Sequence, residues 1–115
     1  MNLASFYRQQ GRIEDMERAI QTALAQPNCP AATYFDAAGE LFQAGRNYPR
    51  AAQYLQNYLS SGQLVEDAPG FRAHYLLGQI YQKSGNKAQA ASEYQASLNL
   101  ASGYDRARKA LEQLH

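Results

Sequence analysis

A chain of 115 residues, 45% hydrophobic and 18% charged, has the composition of an ordered globular protein and not of a disordered segment. Eleven basic residues against ten acidic ones leave a net charge of +1, too even a balance for a general nucleic-acid binder. Cys29 is the single cysteine, which excludes an internal disulfide and any multi-cysteine metal site.

The first segment centres on Gly11. Leu3, Ala4 and Tyr7 precede it, and Met16, Ile20 and Ala23 follow, at the spacing of one helical face. It reads as helix, tight turn, helix. Glu14, Asp15 and Glu17 fall at the start of the second helix, where negative charge meets the helix dipole favourably. Pro27 closes this unit and Pro30 stands where the next helix begins, with Cys29 between them as an idle thiol. The pattern returns around Gly45, with Ala37, Ala38 and Leu41 before it and Ala51, Leu55 and Tyr58 after it. Pro49 suits the first turn of its helix, and one extra residue lies between Gly45 and Ala51.

The stretch "SSGQLVEDAPG", residues 60 to 70, reads as a surface loop, where insertions cost little entropy. Around Gly85 the pattern recurs with Leu77, Gly78 and Tyr81, then Ala90, Tyr94 and Ser97, and Asn86 is placed to cap the later helix. Gly78 and Ala90 are expected to face each other and let two backbones approach closely. His74, which has no acidic residue at helical spacing, is expected to pack at a repeat junction. In "YDRARKALEQLH", Ala107, Leu111 and Leu114 form a covering face, while Arg106, Arg108 and Lys109 form a solvated one.

A lone hairpin cannot bury its apolar face, so neighbours must stack on it. The expectation is an all-α chain: an α-α superhelix (solenoid) of about three helix-turn-helix units, approximately 1–28, 31–62 and 71–102. A capping helix over 104–115 completes a single domain spanning 1–115.

The third unit, "LLGQIYQKSGNKAQAASEYQASL", resembles the tetratricopeptide repeat family. Its Leu-Gly, Tyr, Gly, Ala, Tyr and Leu stand in that family's usual places, with His74 at the tryptophan-type position. The resemblance implies a scaffold that binds a protein or peptide partner in a concave groove lined by the first helices. Carried over, groove positions are Arg8 with Ser5 and Gln9; Phe35, Asp36, Gly39, Phe42 and Gln43; and Arg72, Tyr75, Gln79 and Lys83 with Leu76 and Gln82. Phe35, Gly39 and Phe42 share a stripe at i, i+4 and i+7, so Gly39 leaves a notch between two rings, with Tyr75 as the expected opposite wall.

One known use of the family is a clamp for the acidic tails of chaperones. The matching positions are Met1, Ser5, Asp36, Arg72 and Leu76, of which only Arg72 fits, and Asp36 would repel a carboxylate. That use is not expected. No GxxxxGK[ST] or HExxH motif occurs, and His74 and His115 are the only histidines, so no catalysis, cofactor or metal is expected. No apolar run approaches the ~20 residues of a membrane span. "MNLASFYRQQ" lacks a signal peptide's pattern and carries no targeting information, while the single cysteine fits an intracellular compartment, with a cytoplasmic location favoured. The alternative functional readings are a structural or self-associating section of a longer repeat array, and a regulatory appendage of a larger protein.

Overall fold

The three glycine turns close with the same hydrogen bonds. In a computed structural model, which describes residues 2–114, Gly11, Gly45 and Gly85 take φ of 74°, 67° and 84°. This left-handed conformation is sterically cheap only without a Cβ. The residue after each glycine donates its N–H to a carbonyl five residues back. Arg12 reaches Tyr7 at 2.8 Å, Arg46 reaches Leu41 at 3.0 Å, and Asn86 reaches Tyr81 at 2.8 Å. Carbonyls orphaned at the helix end are thereby satisfied, and the helix stops.

The resulting elements are α1 (Asn2–Gln9), α2 (Ile13–Leu24), α3 (Ala32–Ala44), α4 (Tyr48–Ser60), α5 (Gly70–Lys83), α6 (Lys87–Leu100) and α7 (Asp105–Gln113). Among the described residues there is no strand. The chain is all-α and its first six helices pair as hairpins. The expected first unit and terminal helix extend to Met1 and His115, which lie outside the described residues. Helix starts follow the sequence: the Asn86 side chain accepts from the Gln89 N–H at 3.2 Å, and Pro49 occupies the first turn of α4. The extra residue after Gly45 is absorbed by Asn47, which is itself left-handed at φ 54°. Asparagine tolerates that region better than most residues.

Residues Met1–Gln63 and Leu64–His115 form two compact units. In the first, α1 packs on α2 and α3 on α4, and α3 also touches both helices of the preceding hairpin. Ala4, Met16, Ile20, Ala37, Ala38, Leu41, Ala51, Leu55 and Tyr58 form its core, none more than 1% exposed. Each large side chain among them contributes about 1.5–3 kcal/mol by leaving water. Leu3 departs from the expected face and is 57% exposed. Ala4, about 100° further round α1, is buried as expected.

In the second unit α5 packs on α6, and α7 covers α6 through buried Ala107 and half-buried Leu111 and Leu114. At Gly78 the closest approach is made by the Tyr94 ring. A Cβ built on Gly78 would lie 2.6 and 2.7 Å from ring carbons of Tyr94, its nearest neighbours. Gly78 thus makes room for a tyrosine ring, whose hydroxyl donates to Gln82 Oε1 at 2.7 Å. The buried Ser97 hydroxyl donates to the Phe71 carbonyl at 2.8 Å. His74 has an acidic partner beyond helical spacing: its Nδ1 lies 2.7 Å from Glu93 Oε1 on α6, 19 residues away.

Candidate protein-binding site

Within the first unit, α1 and α3 leave a cleft of about 280 Å³ lined by Ser5, Phe35, Asp36, Gly39, Glu40 and Gln43. Its α3 side follows from helical spacing, because residues 36, 39, 40 and 43 recur every three or four positions. Gly39 is the floor: a Cβ there would meet nothing within 4 Å, so the notch is open. The Phe35 ring forms one end, and its centroid lies 5.7 Å from that of Tyr58 on α4. Phe35 is therefore braced from behind by the core while its cleft side remains half-exposed.

Glu40 organises the polar wall. It accepts from the Ser5 hydroxyl at one oxygen and from Arg8 Nε at 2.6 Å at the other. The Arg8 and Glu40 side chains are only 23% and 14% exposed, so this pair is better shielded from screening than a surface ion pair. Arg8 is thus spent inside the molecule. Asp36, one turn before Glu40, is exposed and forms no hydrogen bond or ion pair among the described residues.

The other expected groove residues are not among those that line this cleft. Phe42 sits outside this cleft, with its ring 6.3 Å from that of Tyr48 on α4. Arg72 is exposed at the start of α5 and donates from Nη1 to the Asp67 carbonyl at 2.6 Å. Tyr75 packs inside the second unit, 5.8 Å from Tyr94 and 5.5 Å from Tyr104 between ring centroids. Burial pushes its hydroxyl pKa up and the nearby Tyr104 adds to this, with Arg106 opposing. Gln79 is half-buried and Lys83 exposed on the same helix.

One cleft residue and one pairing went unrecognised in the sequence. Glu40 was missed altogether, although its place one turn after Asp36 was a signal, and Ser5 was seen without its partner. A second concavity, of about 410 Å³, lies between α1 and α2 and is lined largely by Leu3, Ala4, Tyr7, Ala19 and Ala23. Asp15 on its rim accepts from Arg12 at 2.7 Å and from Arg18 at 3.4 Å. Among the described residues no group of three metal-ligating side chains comes together, and no helix is long and apolar enough to cross a membrane.

Helical hairpins closed by a left-handed glycine, with small residues at the packing positions, define the class of helical-repeat proteins. Residues 71–104 match the family model of the tetratricopeptide repeat, which bears out the resemblance over the third hairpin and the turn that follows it. Comparison with curated proteins and with solved structures gives no match. Tetratricopeptide repeats mediate protein–protein interaction, so the chain carries the repeat of a protein-interaction scaffold.

Proposed function

We propose that the chain is a binding scaffold whose α1–α3 cleft receives a short segment of a partner protein. The observation that carries this reading is the open notch above Gly39, flanked by the braced ring of Phe35 and by polar groups at Asp36 and Gln43. A side chain entering the notch gains apolar contact with a ring that is already ordered, so little entropy is lost at that wall. The Ser5–Glu40–Arg8 bonds hold the two walls at fixed separation, which favours a preformed site. Catalysis has no part in this reading.

A random nonapeptide library displayed on phage and selected on the full chain tests it. Gly39→Leu fills the notch without disturbing the core, and leucine favours a helix over glycine by roughly 1 kcal/mol. Selected peptides are expected to bind Gly39→Leu at least about tenfold more weakly while its melting temperature holds or rises. A selection that yields no peptide, or peptides indifferent to Gly39→Leu, overturns the reading.

A further inference from the structure

Resting on that reading of the cleft, we infer that the bound segment carries a cationic side chain, arginine foremost, which pairs with Asp36. The charges of the site leave one group over. Arg8 and Glu40 neutralise each other across the cleft at 2.6 Å, and the second oxygen of Glu40 is occupied by Ser5. Asp36 then stands alone at the mouth, exposed and without an intramolecular partner among the described residues. The cleft lining therefore holds two carboxylates, one of them offset by its pairing with Arg8, which leaves a net negative charge in a chain whose total is +1.

This asymmetry selects by sign. A carboxylate entering the cleft would face Asp36, and it could recruit Arg8 only by breaking the Glu40 pair and stranding a mostly buried carboxylate. A guanidinium needs no such rearrangement. Its fork can take both Asp36 oxygens, and it sheds water more readily than an ammonium. The neighbouring residue of the segment then falls over Gly39 and against Phe35, so a cation beside an apolar residue is the sequence that fits.

The same phage selection, repeated on Asp36→Asn and Asp36→Lys in the full chain, decides the matter. The native chain is expected to enrich arginine and lysine at least about twofold over the unselected library. Asp36→Asn should abolish that enrichment and weaken the best basic peptide by about threefold to fivefold, more at low salt. Asp36→Lys should turn the enrichment toward acidic residues. A pool that depends on Gly39 but is neutral or acidic overturns the cationic partner and leaves the cleft standing. A pool indifferent to Gly39→Leu overturns both.

Discussion

A single methyl group separates Gly78 from a clash. Glycine inside a helix normally costs roughly 1 kcal/mol relative to alanine, so Gly78→Ala would stabilise an unconstrained helix. Here the added carbon would lie 2.6 Å from a Tyr94 ring atom, and that ring is buried and tethered through its hydroxyl to Gln82. Overpacking of this kind costs about 1–3 kcal/mol and reverses the sign. Thermal denaturation of Gly78→Ala is expected to show a lower melting temperature; a higher one would mean the ring shifts freely. Tyr94 carries a second prediction. Burial first, and Tyr75 second, push its hydroxyl up from an ordinary 10.0 to about 12. The fold thus favours the neutral phenol, a contribution complete below pH ~10 and lost as pH rises through about 12. Tyr94→Phe removes the ionisation, so its melting temperature should fall less steeply between pH 10 and 12 than that of the native chain, in which Tyr54 and Tyr75 are also raised. Equal slopes would remove Tyr94 from the account.

At the scale of elements, α1 is the most dependent. Eight residues are too few for a stable isolated helix, so α1 persists through what holds it. Ala4 anchors it in the core, and Glu40 of α3 binds both Ser5 and Arg8. Glu40→Ala leaves Arg8 without its carboxylate and should cost about 1–3 kcal/mol. Hydrogen exchange is the sensitive measurement: amides of α1 should lose protection while those of α4 keep theirs, and unchanged protection in α1 would count against the staple. Helix ends were the legible part of the sequence. Left-handed glycines, the Asn86 cap and the Pro49 start depend on a residue and its immediate neighbours, and all appear where the spacing put them. Cross-helix partners were not legible. Glu40 lies 35 residues from Ser5 and 32 from Arg8, and His74 lies 19 from Glu93; such pairs depend on how each helix is rotated about its own axis.

For the molecule as a whole, the same rotation explains how much of the site could be read. Residues advance about 100° around a helix, so Phe35, Gly39 and Phe42 do form one stripe. The cleft is centred further round, on Asp36, Gly39 and Gln43, which leaves Phe42 on the edge turned toward Tyr48. The register carried over from the family resemblance falls within one residue of the face that lines the cleft. All-α hairpins in sequence order were recoverable because the glycine register repeats, whereas the aromatic cluster of Phe71, Tyr75 and Tyr104 joins residues of α5 to the turn before α7. The unfilled space over Gly39 has a practical use as well. A thiol introduced at exposed Gln43 on its rim, with Cys29 replaced, would accept a solvatochromic dye and leave the notch itself free. Dark in water and bright once covered, the label would turn the chain into an optical sensor of its own occupancy.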